Sequence, residues 1–345
     1  MVITGLIIIL LLVLAIPFIS KTVEENLEPF LFIMGLAAAF ISGIMNIELA
    51  IKALEEPIMI ASAVFAAGAL FFLLHKKFQT FINMVLQKVP LAVLVFLAIV
   101  LLGLLSSVIT AIVAAIILVE IIYLLPLQRN QKIVVCIIAC YSIGLGAALT
   151  PIGEPLATIA ISKLDESFFY LFYLLGKYII PAVIGFGIFG AVYVARTSQS
   201  STRGNTDETA EEEEIVEQET WKGIIVRALK VYLFVMALVF LGEGFQPLID
   251  KYVLGLSPQL LYWVNMISAV LDNATLTAAE ISNQMTDTQV TAIITGLLIS
   301  GGMLIPGNIP NIISASKLRI SSKEWAVWGV PLGLVTMLIY FIIIF

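Results

Sequence analysis

Apolar runs of roughly 17 to 25 residues, each long enough to cross about 30 Å of hydrocarbon, recur along the chain from Val2 to Phe345. A chain built this way must place most of its length in lipid. No water is available there for backbone N–H and C=O groups, so each segment satisfies its own, as a helix or within a closed barrel. Continuous runs such as Ile179 to Ala195 lack the in-and-out alternation of a barrel strand. The expected fold class is therefore an all-α polytopic membrane protein. Composition agrees, with 61% hydrophobic and 12% charged residues, a balance foreign to soluble domains.

The first run, Val2 to Ile19, lacks a basic leading region and is followed by Ser-Lys-Thr-Val-Glu-Glu, so it reads as a retained helix. The net charge of -6 owes much to one acidic stretch, Asp207 to Glu219, and says little about partners. Cys136 and Cys140 stand one helical turn apart in an apolar run, where small residues let helices approach. Packing is the expected role for both. His75 closes an apolar run beside Lys76 and Lys77, an interfacial setting. No His/Cys/Glu cluster with metal-ligand spacing, glycine-rich phosphate loop or nucleophile elbow occurs. Enzymatic activity, an organic cofactor and a nucleic-acid partner are accordingly not expected.

Arg196 to Lys222 is the only long hydrophilic segment and is rich in Ser, Thr and Glu, which marks a linker. It divides the chain into halves that resemble each other. Gly153-Glu-Pro-Leu-Ala-Thr-Ile-Ala-Ile-Ser-Lys-Leu164 aligns without gaps on Gly307-Asn-Ile-Pro-Asn-Ile-Ile-Ser-Ala-Ser-Lys-Leu318, sharing Gly, Ile and the closing Ser-Lys-Leu. Upstream, Ser106-Ser-Val-Ile-Thr-Ala111 lines up with Ser268-Ala-Val-Leu-Asp-Asn273. Each half runs from a Ser-containing break to a Gly/Pro break and then to a closing helix with an internal proline, Pro181 or Pro331. The expected division is residues 1–47 as two extra helices (Val2 to Ile19 and Pro29 to Met45), 48–195 as the first unit, 196–222 as the linker, and 223–345 as the second unit. Within the first unit lie a hairpin 90–125, a broken helix 132–164 and a closing helix 168–195. The second repeats the order with a hairpin 257–284, a broken helix 289–318 and a closing helix 325–345.

Lys and Arg near the ends of apolar runs favour the cytoplasmic side. Lys76, Lys77 and Lys88 precede the run from Pro90, and Arg129 and Lys132 follow its end, so this hairpin opens inside with its tip at Ser106 to Ala111. Continuing from there puts the linker in the cytoplasm. The second hairpin, with its tip at Leu271 to Thr275, then opens outside, and Lys317, Arg319 and Lys323 fall inside. Two inverted-topology repeats result, each with a re-entrant helical hairpin and a broken transmembrane helix, an architecture typical of secondary transporters. The alternative is that the breaks are ordinary kinks between full crossings. The expected setting is a multi-pass protein of the plasma (inner) membrane with both termini outside.

In the inverted arrangement two tips and two Gly/Pro loops converge near midplane. Unwound backbone there leaves carbonyls and amides free to meet an ion. Thr150-Pro-Ile-Gly-Glu-Pro155 and Ile305-Pro-Gly-Asn-Ile-Pro310 each place two prolines within an apolar crossing, a specific signal because proline removes a donor and blocks continuation. Asp272 and Glu154 lie deep in apolar stretches, where carboxylates usually mark an ion or proton path. A carboxylate that releases its proton becomes the negative, hard oxygen ligand that suits Na⁺ or another alkali cation, with Na⁺ expected at Asp272, Asn273, Glu154 and Asn308. For both acids a purely structural role is the alternative. Asn273, Asn308 and Asn311 serve either as amide ligands or as helix caps. Ser107, Thr110, Thr150 and Thr275 either coordinate through hydroxyls or bond their own helix carbonyls. Glu120 and Glu280, on the returning arms of the hairpins, are second-tier candidates for a proton path. Lys177 either snorkels outward or counters a buried acid.

At Ser-Ser-Val-Ile-Thr-Ala, Thr-Pro-Ile-Gly-Glu-Pro, Val-Leu-Asp-Asn-Ala-Thr-Leu-Thr and Gly-Asn-Ile-Pro-Asn the chain resembles the ion transporter superfamily, which includes arsenite permeases, Na⁺/dicarboxylate symporters and one class of Na⁺/H⁺ antiporters. It looks most like a prokaryotic family of predicted cation transporters. The resemblance spans nearly the whole chain. It implies that Ser107, Thr110, Asp272, Asn273 and Thr275 are tip residues, and that Thr150, Gly153, Glu154, Gly307, Asn308 and Asn311 line the broken helices. It also implies a scaffold that often dimerises. Dicarboxylate symporters place Ser-Asn-Thr at both tips, whereas here the first tip has no Asn and the second carries an acid. Two negative groups repel a dicarboxylate and favour a cation. The leading expectation is therefore a secondary active Na⁺/H⁺ antiporter working by alternating access at a midplane carboxylate site, with Na⁺ or another alkali cation and H⁺ as the moving ions. Na⁺-coupled symport of a dicarboxylate, sulfate or arsenite-like anion is the alternative within transport, and a channel or non-transporting receptor the alternative outside it.

Overall fold

The computed structural model describes residues 2–20, 22–23, 26–86, 88–201, 220–252, 256–270, 273–281 and 285–345, for part of the helical residues by backbone alone. Among them the chain is helical, without strands. Among the described residues five helical stretches are long and apolar enough to cross a membrane: Leu91–Ile109, Arg129–Ala147, Tyr170–Thr197, Trp221–Leu248 and Ser322–Ile344. The protein is a helical membrane protein.

The helices run α1 Val2–Ile19, α2 Leu27–Ser42, α3 Ile47–Leu86, α4 Leu91–Ile109, α5 Ala111–Leu124, α6 Arg129–Ala147, α7 Pro155–Leu164, α8 Tyr170–Ser201 and α9 Trp221–Tyr252. Then follow α10 Pro258–Val264, a 3-10 turn Asn265–Ala269, α11 Asn273–Glu280, α12 Asp287–Gly301, a 3-10 turn Ile305–Gly307, α13 Ile309–Leu318 and α14 Ser322–Ile344. The closing helix of the first half continues past residue 195 to Ser201, and α9 begins at Trp221, so both ends of the expected linker are helical. The expected helix at Pro29 to Met45 lies at Leu27–Ser42.

α9 packs along α2 and α3. Polar fastenings join them: Lys52 Nζ lies 2.6 Å from Glu243 Oε1, Lys230 Nζ 3.6 Å from Glu28 Oε1, and the Tyr232 hydroxyl donates to Leu54 O at 2.7 Å. α4, α5, α8, α12, α13 and α14 pack around α6, whose apolar span is 89% buried against 33% for α4 and α8 and 28% for α14. α6 therefore runs through the protein, whereas the other three present one side outward.

Small side chains let α6 occupy that place. Ser142 Oγ donates to Ile99 O at 2.9 Å, and Ser106 Oγ donates to Gly103 O at 2.6 Å and Ile143 O at 3.1 Å. A methyl group on Gly146 would overlap the Gly103 carbonyl, so backbone meets backbone where α4 crosses α6. Cys136 and Cys140 are free and buried.

The two short helices that follow the Gly/Pro loops are closely matched. Each spans 10 residues. Their N-caps are extended, Glu154 at φ -157, ψ 158 and Asn308 at φ -155, ψ 146, and each helix has a proline in its first two positions. Proline suits that place because its missing N–H is not needed in the first turn. Both helices stop on a left-handed residue, Asp165 at φ 54 and Arg319 at φ 51. The packing is crossed: α5 of the first half lies on α13, and α11 of the second half lies on α7.

Gly146→Val should lower stability by about 1 to 3 kcal/mol or more, read as an earlier thermal unfolding transition in detergent. Gly185→Ala, at a position with open space around a built Cβ, should leave the transition in place.

Candidate functional site

Thr110 breaks the α4–α5 run with φ 74, a conformation that costs a β-branched residue energy and marks a forced turn. Its hydroxyl oxygen caps α5, accepting from Val113 N at 3.4 Å. The turn is pinned to the first broken helix: Ala111 N donates to Gly153 O at 2.8 Å, and the Thr150 hydroxyl donates to Ser107 O. Ser107 bonds back to Leu104 O at 2.7 Å. Thr158 Oγ1 donates to Pro151 O at 2.6 Å, covering another carbonyl of the break. Ser107, Thr110, Thr150 and Gly153 therefore meet, with Glu154 beside them at 7% exposure. Their hydroxyl protons are largely spent on backbone, although oxygen lone pairs remain.

The second cluster gathers Ser268, Asn273, Gly307 and Asn311 around the end of α12. Asn311, fully buried, donates from Nδ2 to Gly301 O at 2.8 Å and Leu304 O at 2.9 Å. Trp325 Nε1 donates to Gly302 O at 3.1 Å. Ser268 Oγ bonds Asn273 Oδ1 and donates to Leu297 O at 2.9 Å. Ser300 Oγ donates to Asn265 O at 2.7 Å. A methyl group on Gly301 would come within 2.7 Å of Asn273 Nδ2 and 2.8 Å of Gly307 O, so these groups converge on one glycine. Asn308 bridges toward the first half, since a Cβ on Gly144 would lie 2.6 Å from its Nδ2. Asp272 lies outside the described residues, and so does the Thr275 side chain, although Thr275 belongs to α11.

One family profile matches residues 3–345, nearly the full chain. The chain belongs to this family, described as a protein of unknown function (DUF1646). No curated protein matches it in sequence.

In this member of the family α5 and α11 each carry a buried glutamate, and the two are treated differently. Glu120, 4% exposed, forms an ion pair with Lys317 of α13, a bond between the halves. Glu280, 2% exposed, instead accepts from Asn265 Nδ2 at 3.0 Å. Lys317 reads from the sequence as a cytoplasmic orientation signal, and the structure gives it this second role. Its place in the last turn of a short helix set between apolar segments was the available clue. Asn265 and Ser268 are further polar residues of the region; Asn265 sits in Tyr-Trp-Val-Asn-Met-Ile without any motif around it. Lys177 is exposed, its Nζ 4.9 Å from the Tyr178 ring, which matches the outward orientation. Among the described residues no group of three His, Cys, Asp or Glu side chains is arranged to hold a metal.

Breaking the Glu120–Lys317 pair from one side leaves a buried charge uncompensated. Lys317→Met should therefore cost roughly 3 to 5 kcal/mol, while Glu120→Leu combined with Lys317→Met should recover most of it. A double-mutant cycle on thermal unfolding in detergent measures the difference.

Proposed function

We propose that this protein is a secondary active cation transporter, foremost a Na⁺/H⁺ antiporter working by alternating access. What carries the reading is the matched pair of interrupted helices, each beginning its second piece at a buried polar N-cap, Glu154 or Asn308. Interrupted helices with polar caps deep in an apolar chain are how membrane transporters hold ions. In this reading α4 with α5, and α10 with α11, are re-entrant hairpins of two inverted repeats. Their tips and the two breaks share one midplane site, with Asp272, Asn273, Glu154 and Asn308 supplying oxygen ligands to Na⁺. These ligands are hard and suit an alkali cation. A proton leaving a carboxylate makes room for the cation's charge, and the returning proton expels it. The helices α1–α3 and α9 form the scaffold, and dimerisation through it belongs to the same reading. The protein sits in the plasma membrane with the linker 196–222 in the cytoplasm and both termini outside.

One observation favours the second reading, Na⁺-coupled uptake of a small anion. Asn273 Nδ2 is buried and makes no hydrogen bond among the described residues, and a free amide donor suits an anion better than a cation.

Proteoliposomes with an imposed pH gradient distinguish them. Na⁺ or Li⁺ should dissipate the gradient, with Asp272→Asn and Glu154→Gln each reducing the response by about tenfold or more. No response to Na⁺, Li⁺ or K⁺ between about pH 6 and pH 9 sinks the antiport reading. Na⁺-dependent accumulation of labelled dicarboxylate, sulfate or arsenite would replace it.

A further inference from the structure

The geometry points to a second alkali-cation site, formed by Glu280 of α11 and Asn265 of the 3-10 turn that precedes it. Both side chains are enclosed, at 2% and 0% exposure. Asn265 Nδ2 donates to Glu280 Oε2 at 3.0 Å and to Ile293 O at 3.5 Å. Glu280 Oε1 and Asn265 Oδ1 are left as buried acceptors without a hydrogen-bond partner among the described residues. Each of these oxygens shares a carbon with an atom of the Asn265–Glu280 hydrogen bond, so two open acceptors flank one contact.

An amide donor supplies a hydrogen bond but no positive charge. A carboxylate held this far from water needs a counter-charge or a proton, and the other returning arm displays the first, with the Lys317 ammonium at Glu120. Among the described side chains, the charged groups on the elements packed against α11 are engaged elsewhere or exposed. Glu243 of α9 is tied to Lys52, Asp287 of α12 accepts from the Tyr170 hydroxyl at 2.7 Å, Lys251 lies exposed over the Tyr252 ring, and Lys163 is exposed in the last turn of α7. Among the described residues Glu280 makes no ion pair. Two oxygens, one of them anionic, with no sulfur or imidazole, form the donor set of Na⁺ or Li⁺. The site is independent of the transport reading, since it requires binding and not flux.

The test is cation binding to the purified chain in detergent, by calorimetry with NaCl, LiCl and KCl against choline chloride. Saturable Na⁺ or Li⁺ binding is expected, weakened about tenfold or more in Glu280→Gln, weakened also in Asn265→Ala, and kept in Glu55→Gln, at an exposed carboxylate of α3. Glu280→Asp, which retains the charge, should restore part of it, separating ligand loss from misfolding. Equal binding by wild type and Glu280→Gln overturns the site, as does binding that follows Glu154 alone. Absence of any cation binding above the choline control also overturns it and assigns Glu280 a proton or a water. Glu280-dependent binding without flux in proteoliposomes removes the transport reading and leaves this site standing.

Discussion

A helix interrupted inside a membrane protein exposes backbone groups that lipid will not hydrogen-bond, and each such group costs several kcal/mol if left bare. Everything around the two breaks answers that constraint. Asn311 covers two carbonyls at the end of α12 and Trp325 a third. Thr158 covers Pro151, and the Ala111 amide, freed by the turn at Thr110, goes to Gly153. All of these partners come from protein, so the broken helices have to be enclosed, and α6 is the most deeply buried of the membrane-length helices. Enclosure in turn demands thin contacts, which Gly103, Ser106, Ser142 and Gly146 provide.

Hydropathy was enough to read the helical class, because lipid admits so few backbone solutions. Proline and glycine spacing located the interruptions at Thr150–Pro155 and Ile305–Pro310, since these residues act through local sterics. Side-chain roles were less legible. Thr110 reads from its place in a Ser/Thr-rich tip either as an ion ligand or as a local hydrogen-bonding group, and the cap its oxygen gives α5 depends on a positive-φ backbone that no pattern announces. Lys317 carries the same charge whether it faces cytoplasm or Glu120, and only the crossing of α5 over α13 decides which. Asn265 is a single polar residue among apolar neighbours, and its partner Glu280 is fifteen residues away. Continuity was also hidden: α3 runs unbroken for 40 residues through Pro57, a length that no single apolar run suggests.

The chain spends its buried charge unevenly. One acid is neutralised within the fold, which fastens the first half to the second at α5 and α13. The other rests on an amide and keeps open acceptors. A fold intended only for rigidity gains little from the second arrangement, because an unmatched carboxylate in a dry interior weakens it.

The dimensions of α3 carry a further consequence. At 1.5 Å per residue its 40 residues form a rod of about 60 Å, twice the thickness of a hydrocarbon slab of about 30 Å. Lys52 meets Glu243 near the end of α9, and Phe72 stacks 5.2 Å from Trp221 at its beginning, so the stretch between those two fastenings already matches the slab. If the rod stands upright, its last fourteen residues, Leu73 to Leu86, rise clear of the apolar layer on the face where α9 begins. Lys76 and Lys77 belong to that overhang.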